Sequence, residues 1–233
     1  MLEVKHLEVA YGRAQILFDL SFDARSGEIV VLLGRNGAGK STTLKALIGL
    51  VPVTSGEIHF DGRRLDRLQS YQIARLGLGY VPEDRRIFTD LTVMQNLEVG
   101  RQPPRAGAGA WTPARAFELF PDLGRLRDRL GGRMSGGEQQ MLTIARALMG
   151  NPRVVLLDEP SEGLAPMIVE QMARAVRELK REGLCVVLSE QNLRFAAPLA
   201  DRALIIEKGH LRFGGTLAAL DASAAVREQY LSL

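Results

Sequence analysis

The chain has 233 residues, of which 46% are hydrophobic and 24% charged, and its formal net charge is +3 at pH 7. This length suits one large domain, or a core with a small subdomain. The small charge, without a dense Lys/Arg block, argues against a dedicated nucleic-acid surface. The single cysteine excludes an internal disulfide, and no apolar run reaches the ~20 residues needed to span a bilayer.

The first predicted elements are two strands of alternating polarity, over residues 2–9 and 16–22, joined around Tyr11-Gly12. We predict an antiparallel pair from this arrangement. Two roles are open for the ring of Tyr11: it stacks on a nucleotide base, or it packs on the hairpin as a turn aromatic.

A glycine-rich loop follows an apolar run over residues 29–33, which indicates a buried parallel strand, and precedes a predicted helix over 42–50. The loop matches the P-loop pattern G-x-x-x-x-G-K-[ST] in the expected strand–loop–helix context. Its glycines let backbone N–H groups surround a polyphosphate, while Lys40 can bond the β- and γ-phosphates and Ser41 can bind Mg²⁺. We therefore predict a nucleoside-triphosphate site formed by Gly34, Arg35, Asn36, Gly37, Ala38, Gly39, Lys40, Ser41 and Thr42.

A second strand pair is predicted over residues 56–65, with a tight turn at Asp61-Gly62. Helical spacing follows over 70–76, and a short strand ends at Val81.

Between residues 83 and 133 the pattern becomes helical. A capping box at Thr92 opens a helix to about Val99, a Pro/Gly/Ala-rich loop covers 101–112, and interrupted helical patterns run from Pro113 to Leu130. Because no strand-like segment occurs here, we predict a helical subdomain over 83–133.

Alternation of helices and strands resumes after residue 133. The predicted elements are a helix over 136–149, a strand over 153–157, a helix over 166–181, a strand over 184–189, a helix over 192–200, two strands around Lys208-Gly209 and a short helical tail. This order predicts a mostly parallel sheet with right-handed crossovers. The α/β core would consist of residues 1–82 and 134–233, with the antiparallel strands as a subdomain, all within one domain.

Two carboxylates, Asp158 and Glu159, end the apolar strand over 153–157. In a P-loop protein an acidic residue at such a strand end holds Mg²⁺ through its waters, which suits Asp158. Glu159 points in another direction and could accept a proton from an attacking water.

A further anion-binding pattern begins at Ser135-Gly136-Gly137-Glu138, ahead of a strongly helical run. Ser135 and Glu138 fit a reciprocal capping box, which by itself explains a capped helix. The two glycines would also let backbone N–H groups approach an anion at the positive helix end.

In this order and spacing, the P-loop, the stretch 135–140 and the Leu-Leu-Asp-Glu-Pro run at 156–160 resemble the ATP-binding subunits of ABC transporters. The resemblance implies a dimer in which the P-loop of one protomer and the Ser135 helix of the other enclose each ATP. It also favours the base-stacking role for Tyr11, since the family places an aromatic there.

Three shorter stretches, at 81–88, 161–166 and 189–192, are similar to branched-chain amino acid import ATPases. The urea and short-amide importers share much of this pattern, so the transported substrate stays open between them.

Two positions depart from the general family pattern. Glu83 stands where a glutamine usually touches Mg²⁺; its carboxylate could still reach the metal, or could lie in solvent. Gln191 stands where a histidine usually contacts the γ-phosphate, and an amide can donate a hydrogen bond but cannot become a cation. With Glu159 retained as the base, we expect slower or differently controlled hydrolysis.

The resemblance implies an ATPase subunit that uses ATP and Mg²⁺, with Glu159, Lys40 and Gln191 as catalytic residues. Its expected partners are a second, identical or paralogous ATPase protomer, transmembrane permeases and, indirectly, a periplasmic substrate-binding protein. Its expected place is the cytoplasmic face of the inner membrane, as a peripheral subunit. The alternatives are a non-import ABC ATPase, such as one driving lipopolysaccharide export, and a nucleotide switch that binds ATP without turnover.

Overall fold

The computed structural model describes residues 1–105 and 109–223. The strands in chain order are β1 (Leu2–Tyr11), β2 (Ala14–Ala24), β3 (Ile29–Leu33), β4 (Ser55–Phe60), β5 (Arg63–Arg64), β6 (Leu78–Val81), β7 (Val154–Asp158), β8 (Cys185–Glu190), β9 (Arg202–Glu207) and β10 (His210–Thr216). The helices are α1 (Lys40–Leu47), α2 (Ser70–Leu76), α3 (Val93–Gly100), α4 (Pro113–Leu119), α5 (Pro121–Arg125), α6 (Gly136–Leu148), α7 (Pro166–Arg181), α8 (Leu193–Ala196) and α9 (Leu217–Ala222).

The larger sheet has the strand order β10-β9-β3-β8-β7-β6, in which only the β10–β9 pair is antiparallel. This confirms the mostly parallel sheet expected from the alternating pattern. Every residue of β3, β7 and β8 is buried, because both faces of the sheet are covered. Along β3, Ile29, Val31 and Leu33 join the core on one face, and Val30 and Leu32 join the core on the other.

The smaller sheet is antiparallel, with the order β2-β1-β4-β5. The alternation in β1 turns Leu2, Val4, Leu7 and Val9 inward, onto the core shared with one face of the larger sheet. The predicted hairpin is confirmed, although β1 and β2 extend closer to the turn, to Tyr11 and from Ala14.

The helices α3, α4 and α5 lie between β6 and α6 in the chain and pack against the core cluster that contains α6 and α7. The capping box at Thr92 is confirmed, since its side chain accepts the N–H of Gln95 and the Gln95 side chain accepts the N–H of Thr92. The helical pattern predicted to run to Leu130 ends earlier, at Arg125.

Other helix bounds differ from the prediction for local reasons. The helix α1 begins at Lys40 because Gly39, at φ 112°, serves as its N-cap, and it stops before Gly49, which has φ 71°. The helix α8 spans only Leu193–Ala196, since Pro198 follows and cannot continue the helical hydrogen bonds. The predicted tail helix is seen as α9, and residues 224–233 lie outside the described residues.

The buried side chain of Asn151 joins the loop after α3 to the core. Its Oδ1 accepts the N–H of Trp111 at 2.7 Å, and its Nδ2 donates to the carbonyls of Gln102 at 2.8 Å and Pro103 at 3.3 Å. Arg105 adds a bond from Nε to the Asn151 carbonyl at 2.7 Å. Asn151 itself has φ 51°, a backbone conformation that asparagine tolerates better than most residues.

We predict that Asn151→Ala lowers the free energy of unfolding by about 2–4 kcal/mol, because it leaves a buried N–H and two carbonyls without their partner. Urea denaturation would measure the loss. Gln102→Ala is the matched control, because the hydrogen bond to Asn151 uses the backbone carbonyl of Gln102 and the Gln102 side chain is exposed. Equal stability of the two variants would contradict this role for Asn151.

Candidate nucleotide-binding site

The predicted site residues meet at the carboxyl edge of the larger sheet. The P-loop leaves the end of β3, Asp158 ends β7, and Glu190 ends β8, which lies between β3 and β7. Ligands of open α/β sheets bind at this edge, since parallel strands end together there.

The P-loop backbone has the shape that the glycine pattern predicts. Gly34 has φ 156°, and a Cβ on it would lie 2.3 Å from the carbonyl oxygen of Ile206. A Cβ on Gly39 would lie 2.7 Å from the side chain of Leu17. The backbone oxygen beside Gly34 and the positive φ of 112° at Gly39 favour glycine at both positions, and the loop leads into the positive amino end of α1.

Lys40 lies inside the loop with only 3% of its side chain exposed. Its Nζ donates to the carbonyls of Gly34 at 2.9 Å and Arg35 at 3.2 Å, and lies 3.1 Å from Oε1 of Glu159. The buried ammonium therefore depends on one carboxylate for charge compensation, and a phosphate group could take that place.

Asp158 is buried and accepts three hydroxyl hydrogen bonds. Ser41 and Ser189 donate to Oδ1 at 2.8 Å and 2.6 Å, and Tyr80 donates to Oδ2 at 3.0 Å. Burial and the charge of Asp158 both raise the pKa of Tyr80, so its hydroxyl stays protonated and remains a donor. Ser41 and Asp158 together present the oxygen ligands that Mg²⁺ prefers.

Glu159 has φ 44°, a left-handed backbone conformation that is costly for a residue with a side chain. Its N–H donates to the carbonyl and to Oγ of Ser189, both at 3.1 Å. Burial opposes ionisation, but the hydrogen bond from Gln191 and the charge of Lys40 outweigh it and hold the pKa of Glu159 below its usual range. The carboxylate is thus an anion fixed beside the P-loop.

Gln191 connects the P-loop to this carboxylate. Its Nε2 donates to Oε2 of Glu159 at 2.8 Å and to Oδ1 of Asn36 at 2.6 Å. The structure therefore brings Gln191 to the same point as Lys40 and Glu159, where the resemblance predicts the γ-phosphate.

Two predicted residues make fewer contacts. Tyr11 is 48% exposed at the end of β1, so its ring is accessible. Glu83 is exposed, and within the described ranges no hydrogen bond joins it to Ser41 or Asp158. Its charge is close enough to contribute to the raised pKa of Glu162, whose main causes are the hydrogen bond with Glu159 and burial.

The capping box at the start of α6 is confirmed, with Glu138 N–H donating to Ser135 Oγ at 3.3 Å and Ser135 N–H donating to the Glu138 carboxylate at 2.7 Å. Gly137 also has a packing reason that the sequence did not reveal, since a Cβ on it would lie 2.8 Å from Ile168. A Cβ on Gly136 would lie 2.6 Å from the guanidinium of Arg85, the end of a flexible side chain that could move aside.

No hydrogen bond within residues 1–105 and 109–223 joins the 135–138 stretch to Lys40, Asp158 or Glu159. The second anion-binding pattern is therefore separate from the P-loop contacts within one chain.

Sequence reasoning missed Tyr80, Ser189 and Glu190. The first two fix Asp158, and the carboxylate of Glu190 accepts backbone N–H groups of the loops on either side. The available signal was a polar residue at the carboxyl end of a predicted parallel strand, which applies to all three.

These features define a P-loop nucleotide-binding protein. The ABC transporter family model matches residues 17–162. Over 99% of both chains, the sequence is 45% identical to the high-affinity branched-chain amino acid transport ATP-binding protein of Pseudomonas aeruginosa. It is 38% identical to the lipopolysaccharide export system ATP-binding protein of Escherichia coli, over 99% of this chain and 96% of that one.

A bacterial ABC transporter cassette solved as a dimer is 25% identical, with a TM-score of 0.80, over 93% of this chain and 99% of that chain. The chain belongs to the ABC transporter family and is an ATP-binding, ATP-hydrolysing subunit. In the part of the chain that the structure describes, no helix has the length and apolar character to cross a membrane.

We predict that Tyr80→Phe lowers the free energy of unfolding by about 1.5–3 kcal/mol, because Asp158 loses a hydroxyl donor to a buried carboxylate while ring volume is kept. Chemical denaturation would measure this change. Tyr71→Phe, which alters a ring that is 58% exposed, should be near neutral. A Tyr80→Phe protein as stable as wild type would show that the bond to Asp158 contributes nothing.

Proposed function

We propose that this chain is the ATPase subunit of an importer for branched-chain amino acids. The observation that carries the proposal is the 45% identity, over nearly the full length, to a branched-chain amino acid transport ATP-binding protein. The identity to the lipopolysaccharide export protein is lower, at 38%, so import is favoured over export. The stretches at 81–88, 161–166 and 189–192 support the same choice.

In the proposed reaction the P-loop amides and Lys40 bind the triphosphate, and Tyr11 stacks on the base. Lys40 would exchange Glu159 for the γ-phosphate, which frees the Glu159 carboxylate to orient water and accept its proton. Gln191 would donate to the γ-phosphate from its position between Asn36 and Glu159.

Mg²⁺ fits the oxygen donors of Ser41 and Asp158, which already lie within hydrogen-bond distance of each other. When bound, the ion would neutralise charge on the β- and γ-phosphates. Tyr80 and Ser189 would orient the Asp158 carboxylate, and Glu83 stays a candidate ligand through water.

We further propose that two protomers act together, with Ser135, Gly136, Gly137 and Glu138 of one completing the ATP site of the other. The solved dimer of a related cassette and the separation of this stretch from the P-loop contacts in one chain support this arrangement. The α6 amino end would then add N–H donors and partial positive charge to the γ-phosphate.

We further propose that a groove with a volume of about 590 Å³ receives a transmembrane permease. The chain would then lie at the cytoplasmic face of the membrane. The groove lies between α2 and α6, beside the proposed helical subdomain at 83–133. Its rim exposes Leu50, Tyr71, Phe88 and Val99, an apolar set that suits the short helix of a permease. A periplasmic binding protein would contact the permease rather than this chain.

We predict that Glu159→Gln lowers ATP turnover by about 10²–10⁴-fold while ATP binding persists, because the variant loses the base but keeps the volume of the side chain. A phosphate-release assay would measure the turnover, and light scattering with ATP should detect an accumulated dimer. The control is Glu170→Gln on the exposed face of α7, where its carboxylate pairs with Arg174. Wild-type turnover in Glu159→Gln would reject the assigned role.

The substrate can be tested in the source organism by deleting the gene and measuring uptake of labelled leucine, isoleucine and valine. We predict that uptake is lost and is restored by the wild-type gene but not by Glu159→Gln. Loss of urea or short-amide uptake instead would move the chain to that importer class. Normal uptake with defective lipopolysaccharide export would favour the alternative supported by the 38% identity.

A further inference from the structure

Glu190 is the last residue of β8 and is only 2% exposed. Its carboxylate accepts three backbone hydrogen bonds: Ser161 N–H donates to Oε1 at 3.1 Å, and Gln191 and Asn192 N–H donate to Oε2, each at 3.2 Å. One buried carboxylate therefore bonds to two loops that are about 30 residues apart in the chain.

The contact to Ser161 is the unusual part. A strand end that turns into a loop can satisfy the next two N–H groups with a short side chain such as aspartate. The length of glutamate is needed only to reach Ser161, which follows Glu159 and Pro160 on the other loop. If Glu190 served only to end β8, its side chain would not need to extend as far as Ser161.

The position of the Glu190 carboxylate, buried near the nucleotide site, also argues against a purely structural role. Burial raises the pKa of Glu190 and the charge of Glu159 adds to that effect, while hydrogen bonding with the Ser161 side chain and with backbone N–H groups acts in the opposite direction. A second buried carboxylate near a polyphosphate site is electrostatically unfavourable, and several N–H donors are needed to stabilise it.

The contacts close a ring around the catalytic carboxylate. Glu159 leads through the chain to Ser161, Ser161 donates to Glu190, and Glu190 holds the backbone of Gln191. The side chain of Gln191 then returns to Oε2 of Glu159 at 2.8 Å. The loop that carries Glu159 and the turn that carries Gln191 are thus fixed relative to one another through Glu190.

We propose that Glu190 is a positioning residue for ATP hydrolysis. It keeps the Gln191 amide aligned with the Glu159 carboxylate and makes the two loops move together when phosphate binds or leaves. This inference rests on the proposed catalytic roles of Glu159 and Gln191. Within residues 1–105 and 109–223 the hydrogen bonds of the Glu190 carboxylate go to Ser161, Gln191 and Asn192 and not to the P-loop, so we expect its effect to fall on turnover rather than on ATP affinity.

The sharpest variant is Glu190→Asp, which keeps the charge and can still bond to the local N–H groups but is one methylene too short for Ser161. A misalignment of about 1 Å can cost two orders of magnitude in rate, so we expect kcat to fall by about 10–100-fold. The Kd for ATP should stay within about twofold. Tm should fall modestly, because the Ser161 N–H loses its acceptor, but the variant should remain folded at the assay temperature. Glu190→Gln keeps the reach but turns an amide NH₂ toward one set of N–H donors, so it should also lower kcat.

A double-mutant cycle separates positioning from simple structural support. If Glu190 acts on Gln191, the loss of kcat in Glu190→Asp/Gln191→Ala will be clearly smaller than the product of the two single losses. Glu28→Gln is the matched control: its carboxylate also accepts a backbone N–H, from Arg25, but at the opposite end of β3. That control should leave kcat and KM unchanged.

Three results would overturn the inference: wild-type kcat in Glu190→Asp, a fall in kcat explained by unfolding at the assay temperature or by weaker ATP binding, or losses that multiply in the cycle. Failure of the proposed catalytic roles is distinguishable, since Glu159→Gln would then retain turnover whatever the result at position 190.

Discussion

The buried pair of Lys40 and Glu159 is the interaction on which the site depends. The two charges lie 3.1 Å apart with 3% and 6% of their side chains exposed. Removing one partner of such a pair leaves an uncompensated buried charge at a cost of about 3–5 kcal/mol. A group that separates them must therefore bring negative charge to Lys40, which a polyphosphate does and a neutral ligand does not. In the proposed mechanism, the selectivity of the loop for phosphate would follow from this exchange.

The strand order of the larger sheet brings the other site residues next to the Lys40–Glu159 pair. Because β8 lies between β3 and β7, residues at its end can contact both the P-loop and the Asp158-Glu159 stretch. Ser189 Oγ bonds to Asp158 and accepts the N–H of Glu159, so one hydroxyl fixes two neighbouring carboxylate residues. These hydrogen bonds also offset the energetic cost of the left-handed backbone at Glu159. A less constrained loop would relax out of that conformation.

The sequence predicted those parts of the structure that depend on local pattern. The strand over 29–33, the helix over 166–181 and the capping boxes at Thr92 and Ser135 follow from residue periodicity and from side chains three positions apart. The contacts of Tyr80, Ser189 and Glu190 depend on which strands are neighbours, and no local pattern carries that information. The sequence also could not show that Arg85 packs on Gly136, because the two residues are distant in the chain.

The glutamine at position 191 has a consequence for the order of binding events. An amide Nε2 has two hydrogens, and here Asn36 and Glu159 accept both of them. For Gln191 to donate to a γ-phosphate, one of these bonds must break. The bond to Glu159 is the one that matches the exchange at Lys40, because the γ-phosphate would then take both Lys40 and Gln191 from the same carboxylate. The carboxylate would then be released toward water only after the phosphate is in place, so the triphosphate itself would activate the base.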